Sequence, residues 1–205
     1  MKIFLLGATG GTGGAVLEQA LARGHEVTAL VRSPEKITIR NPALAVHRGD
    51  VMSAEDIARV LVAEDVVIST LGHRGLKAAP LVAASARSVI QVMRSANVRR
   101  LLMLSAALLF PDIGPPILTP IISYILRNGL ADSREMEQLV MESDLDWTIA
   151  RPPRLTNGPK TESYHVADGA LPGKGHSISR ADVAHFFLNE AERPEHVRKI
   201  VGLCY

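Results

Sequence analysis

The sequence predicts an α/β fold: an open, doubly wound parallel sheet with helices on both faces. Three observations predict it. Short apolar runs alternate with longer amphipathic stretches along almost the whole chain, which is the pattern of strand–helix–strand units. A glycine-rich turn, Gly7-Ala8-Thr9-Gly10-Gly11-Thr12-Gly13, separates the first apolar run from the first amphipathic stretch. Hydrophobic residues make up 47% of the 205 residues but aromatics only 4%, as expected of buried strands built from Val, Leu, Ile and Ala.

Taken in order, Ile3-Phe4-Leu5-Leu6 reads as a buried first strand and Ala15–Arg23 as the helix after the turn. Glu26–Val31 is the second strand and Ala43–His47 the third. Ser53-Ala54-Glu55-Asp56 caps a helix running to about Leu61. Asp65–Ser69 is a fourth strand with the β-branched density of a doubly buried one. A long helix from about Pro80 to Ala96 buries Val82, Ala86, Val89, Ile90 and Met93 at helical spacing. Arg100–Ser105 is the fifth strand. Residues 106–123 are apolar, but Pro111, Pro115, Pro116 and Pro120 make them an irregular crossing. A helix from about Ala131 to Ser143 leads into a sixth strand, Trp147–Arg151, which Pro152-Pro153 halts. Residues 157–175 read as loop-rich. A helix from Arg180 to about Ala191 and a strand around Lys199–Leu203 complete the chain. Right-handed crossovers then give strand order 3-2-1-4-5-6 plus a C-terminal strand. The chain reads as one domain, 1–205, in which 152–205 contributes a small substrate-side segment.

The glycines point to a ligand. At positions 7, 10 and 13, they remove Cβ atoms where the chain turns, where backbone meets a pyrophosphate and where helix packs on strand. The helix N-terminus aims unpaired N–H groups and its dipole at that anion. Gly7, Thr9, Gly10, Gly11, Thr12 and Gly13 are therefore the expected phosphate loop of a Rossmann-type dinucleotide unit. Where an NAD-binding unit carries Asp or Glu after the second strand, this chain has Arg32, followed by Ser33 and Lys36. A guanidinium grips a 2′-phosphate that a carboxylate would repel, so NADP(H) is the expected cofactor.

In such a sheet ligands meet the carboxyl ends of the strands. Asp50 and Val51 follow the third strand and are candidates for the adenine. Thr70, Leu71 and Gly72 follow the fourth, ahead of His73, a candidate for the substrate. Ser105 closes the fifth strand within reach of a nicotinamide. Pro152 and Pro153 wall that side, and Arg154 is placed to meet an acidic group of the substrate.

Composition excludes other classes. A net charge of +2 without a basic run gives no nucleic-acid footprint. Cys204 is the only cysteine, which rules out an internal disulfide, and no metal motif appears among the seven histidines. No apolar stretch reaches membrane-spanning length, and residue 1 leads directly into a strand. A cytoplasmic protein with no metal and a small-molecule partner is expected.

Several motifs carry a resemblance: GATGGTG at 7–13, LVRS at 30–33, GDV at 49–51, STLG at 69–72, LSA at 104–106, ESDLDWTIARPPRLTNGP at 142–159 and ISRADVAHFFLNE at 178–190. Together they resemble the atypical short-chain dehydrogenase/reductases. Within these the chain is most similar to the NAD(P)H-dependent flavin reductase/biliverdin-IXβ reductase group and its NmrA-like relatives. The resemblance implies that Thr12 and the glycine-turn amides hold the pyrophosphate. It gives Arg32 the 2′-phosphate, Asp50-Val51 the adenine, and Leu71-Gly72, Ser105 and Pro152-Pro153 the nicotinamide end. Two departures narrow the chemistry. The Tyr-x-x-x-Lys pair is absent, since Tyr124 is followed four places on by Asn128 and no lysine lies between Lys77 and Lys160. Ser133 and Arg154 stand about where the biliverdin-reducing relatives carry histidines. Carbonyl–alcohol chemistry needs the Tyr/Lys acid. Hydride transfer to a flavin, quinone or related conjugated acceptor does not, with Ser105 orienting the ring. The alternative is a non-catalytic NADP(H)-binding redox sensor or assembly factor.

Overall fold

The computed structural model describes residues 1–72, 80–110, 124–173 and 175–205. His73 and most of the 106–123 crossing lie outside the described residues.

The main sheet has eight strands in the order β3-β2-β1-β4-β5-β6-β10-β8. These are β1 (Lys2–Leu6), β2 (Glu26–Val31), β3 (Leu44–Arg48), β4 (Val66–Ser69), β5 (Arg100–Leu104), β6 (Asp146–Arg151), β8 (His165–Asp168) and β10 (Lys199–Cys204). All neighbours pair in parallel except β10 with β8. The order from β3 to β6 and the added C-terminal strand are those expected from the sequence. A second, two-stranded parallel sheet joins β7 (Arg154–Thr156) to β9 (Ser177–Ser179).

Strand alternation divides the core in two. Ile3 and Leu5 of β1 point to the face covered by α1 (Gly11–Ala22) and α5 (Arg180–Glu192), with Val16, Leu17, Val183 and Phe187. Phe4 and Leu6 point to the other, covered by α2 (Ala54–Ala58), α3 (Val82–Ser95) and α4 (Arg127–Met141), with Ile57, Val89, Met93 and Val140. Both faces are sealed, which is why β1 and β4 lack polar alternation.

Some boundaries differ from expectation. The segment 157–175 is not all loop, because β8 lies in it and pairs along the edge of β10. Its ends are His165 and Asp168, polar residues tolerated at a sheet edge, so no apolar run marks it. The three-residue strands β7 and β9 are too short to leave a periodic signal. Helix α2 ends at Ala58, after which Val60 N–H turns tightly to Ile57 O at 3.1 Å. Helix α4 starts at Arg127, four residues earlier than expected, because Leu130 anchors its first turn in the core despite Gly129. Strand β3 is shifted by one residue, to Leu44–Arg48. Among the described residues no helix is long and apolar enough to cross a membrane.

Candidate functional site

The turn between β1 and α1 is built by excluded volume. Gly7 has φ +87°, and a Cβ there would lie 2.7 Å from Thr70 Oγ1. A Cβ on Gly13 would lie 2.1 Å from the Gly7 carbonyl oxygen, inside the backbone itself. Gly10 N–H closes the turn onto that carbonyl at 2.8 Å. Thr70 donates its own hydroxyl to Leu6 O at 3.1 Å, so it is a wall of the turn. Gly7, Gly13, Thr70 and Leu71 are thus brought together.

The N-terminus of α1 is left open. Gly10 supplies no side-chain cap and the first turn carries no acidic residue. Three other helices of the described chain, α2, α3 and α5, are capped by protein side chains, whereas α4 is not. Ser53 caps α2, accepting from Asp56 N–H at 3.1 Å. Ser179 caps α5, accepting from Asp182 N–H at 2.9 Å. Asp132, from α4, takes the N–H groups of Leu81, Val82 and Ala83 at 2.9–3.0 Å and so caps α3 from outside. An uncapped N-terminus beside a Cβ-free turn fits a diphosphate. Thr9 and Gly10 are partly exposed there and Gly11 is open, whereas Thr12 is buried in the first turn. Arg180, from the start of α5, packs its side chain over Gly11.

Arg32 follows β2 and is exposed, with no ion pair to any described residue. Gly49 N–H bonds Val31 O at 3.0 Å, which sets Arg32 beside Gly49-Asp50. The Asp50 carboxylate accepts from Met52 N–H at 3.0 Å and Asp50 N–H donates to Asp56 at 2.7 Å. Asp50 therefore shapes the turn into α2, and Val51 is buried in the core below it. Leu71 is half-buried. Gly72 is exposed, and a Cβ there would meet no described atom within 4 Å.

At the other end, Ser105 N–H bonds Ala150 O at 2.8 Å and Ala107 N–H bonds Pro152 O at 3.0 Å, which brings Ser105 and Pro152 together. Ser105 donates its hydroxyl to Glu137 Oε1 at 2.6 Å. Arg151 grips the same carboxylate through Nε, at 2.9 Å, and Nη2, and stacks over Phe110 at 4.7 Å. Glu137 and Arg151 were missed from sequence. The available signal was a carboxylate on the buried stripe of α4, at helical spacing from Leu130, Ser133 and Val140. Pro153 is half-buried, and Arg154 opens β7 exposed. Tyr124 is 68% exposed under the Arg127 guanidinium. The other tyrosines are engaged elsewhere, Tyr164 with His185 and Tyr205 with Asp182. Among the described residues no cluster could hold a metal.

A family model described as NAD(P)H-binding matches residues 7–194. The chain belongs to this NAD(P)H-binding family. An uncharacterized relative, YwnB of Bacillus subtilis, is 31% identical over 96% of this chain and 94% of its own. A 3-diazoavenalumate denitrifying reductase of a Streptomyces species is 31% identical over 74% of this chain and 55% of its own. Among solved structures, SP1627 of Streptococcus pneumoniae, a proposed NADH-flavin reductase, is 26% identical with a TM-score of 0.77, covering 100% of this chain and 99% of the other. These similarities place the chain among the NAD(P)H-binding oxidoreductases.

Proposed function

We propose that the protein is an NADPH-dependent reductase that passes hydride to a flat conjugated acceptor such as a flavin or quinone. The observation that carries this reading is the acid/base content of the nicotinamide end. Ser105, a hydroxyl at that end, is bound to a buried carboxylate–guanidinium pair, and among the described residues no tyrosine–lysine pair accompanies it. A carbonyl substrate needs a proton placed on its oxygen, whereas a flavin or quinone takes its proton from water. The nicotinamide supplies the hydride when bound. The likeness to a proposed NADH-flavin reductase supports the same acceptor class.

In this reading the amides at Gly10–Gly13 hold the pyrophosphate and Arg32 holds the 2′-phosphate. Asp50 and Val51 border the adenine. Leu71, Gly72, Pro152 and Pro153 form the walls of the nicotinamide end. Ser105, its proton committed to Glu137, offers lone pairs and orients the ring. Arg154 meets an acidic group of the acceptor, and His73 is a candidate substrate residue on its sequence position alone.

The test is NADPH oxidation at 340 nm with FMN, FAD, a quinone dye and biliverdin offered in turn. Turnover is expected with flavin or quinone and to be poor with biliverdin. NADPH binding without turnover on any acceptor would overturn the reading and favour a redox sensor.

A further inference from the structure

Gly11 has no reason of its own to be glycine. Its φ is not in the left-handed region, and the three atoms nearest a Cβ placed there all belong to Arg180: Cδ at 2.7 Å, Nε at 2.9 Å and Cζ at 3.8 Å. Gly7 and Gly13 make room for backbone, but Gly11 makes room for an arginine from the far end of the chain. That arginine is the first residue of α5, directly after the Ser179 cap, and its position is fixed by the β7–β9 pairing. Among the described residues its hydrogen bonds go to neutral oxygens, Asn157 Oδ1 at 2.6 Å and Leu155 O at 3.5 Å. Both engage Nη1, and no described carboxylate pairs with the group. A guanidinium has five N–H donors and a fixed charge. Here it is held against the uncapped first turn of α1, its charge uncompensated among the described residues.

We infer that Arg180 is a cofactor-binding residue that clamps the pyrophosphate from the side opposite the α1 amides. This rests on the family's NAD(P)H binding and on the placement of the diphosphate at α1, not on the acceptor. The clamp also ties the cofactor to the segment carrying Arg154, since Leu155 and Asn157, which hold Arg180, follow it directly.

The experiment measures binding by calorimetry to the full chain, using NADPH, NADH, ADP-ribose and adenosine 2′-monophosphate. ADP-ribose carries the pyrophosphate without the 2′-phosphate, and adenosine 2′-monophosphate carries the reverse. Arg180→Ala should weaken NADPH, NADH and ADP-ribose alike by about ten- to a hundredfold, the loss of one charge-assisted contact, and spare adenosine 2′-monophosphate. Arg180→Lys should fall between, keeping the charge but losing the fork. Should the alanine variant not fold, Arg180→Gln keeps a donor for Asn157 without charge and carries the same expectation. ADP-ribose affinity within about twofold of the parent, or equal losses for both fragments, would make Arg180 a structural strut and overturn the inference. If the parent chain itself binds neither NADPH nor ADP-ribose, the phosphate-site reading fails instead, independently of any acceptor.

Discussion

Ser105 donates to Glu137 at 2.6 Å, and the carboxylate that receives this proton is the one that neutralises Arg151. The hydroxyl at the end of β5 is therefore oriented by the protein before any ligand arrives. Its free lone pairs accept, and its proton is spoken for.

Ser105→Ala should accordingly lower kcat less than about tenfold, because an orienting contact is lost and no obligatory proton. A loss beyond about a thousandfold in steady-state turnover would mean that Ser105 carries acid/base catalysis.

Glu137→Ala should act on stability. Its side chain is 3% exposed and that of Arg151 12%, so removing the carboxylate leaves a guanidinium buried without its counter-charge. Breaking such a pair costs about 3–5 kcal/mol. Chemical denaturation should show this loss, and a midpoint unchanged from the parent would refute the buried pairing.

Arg32→Ala should weaken NADPH by about ten- to a hundredfold and leave NADH nearly unchanged, since only the 2′-phosphate loses a charge-assisted partner. Fluorescence titration with both cofactors reads the difference. Equal losses would show that Arg32 does not contact the 2′-phosphate.

Stability should fall in two acid steps on the α5 face. Burial lowers the His185 pKa below 6.5; Glu162 and Asp182 oppose that shift, and Arg23 and Lys160 add to it. Tyr164 faces its Nδ1 at 3.0 Å. A depressed histidine stabilises the fold above pH 6.5, and that contribution is lost as pH drops through its folded value. Asp182 follows. Burial raises its pKa, but hydrogen bonds from Tyr205, the Glu162 amide and Thr161 bring it below 3.8. Its contribution is present above pH 3.8 and is lost as pH falls further. Thermal melts from pH 8 to 3 should show both declines, and His185→Asn should flatten the first. An unchanged slope in that variant would exclude His185 as its source.

The glycine turn was legible from sequence because its constraints are local. Gly7, Gly10 and Gly13 act within one turn, and Arg32 follows its strand directly. Ser105 and Pro152 were legible as strand ends once the parallel order was fixed. What surrounds them was not. Glu137, Arg151 and Ser105 come from α4, β6 and β5, and only strand register and helix packing bring them together. Arg180 falls within the ISRADVAHFFLNE motif but lies near the opposite end of the chain from Gly11, and no local spacing pairs the two. The same holds for β8, whose partner β10 is the last strand of the chain.

Asp132 has an evolutionary consequence. By holding the first amides of α3 from its place on α4, it fixes where α3 begins and ties that start to α4. The two connections entering α3 and α4 follow β4 and β5, whose carboxyl ends bear Leu71-Gly72 and Ser105. Insertions, deletions or new side chains in the connection entering α3 need not disturb that helix, because one carboxylate ties its start to α4. The scaffold can hold its cofactor chemistry constant while lineages trade one acceptor for another, and paralogues should diverge in that stretch far faster than at Asp132.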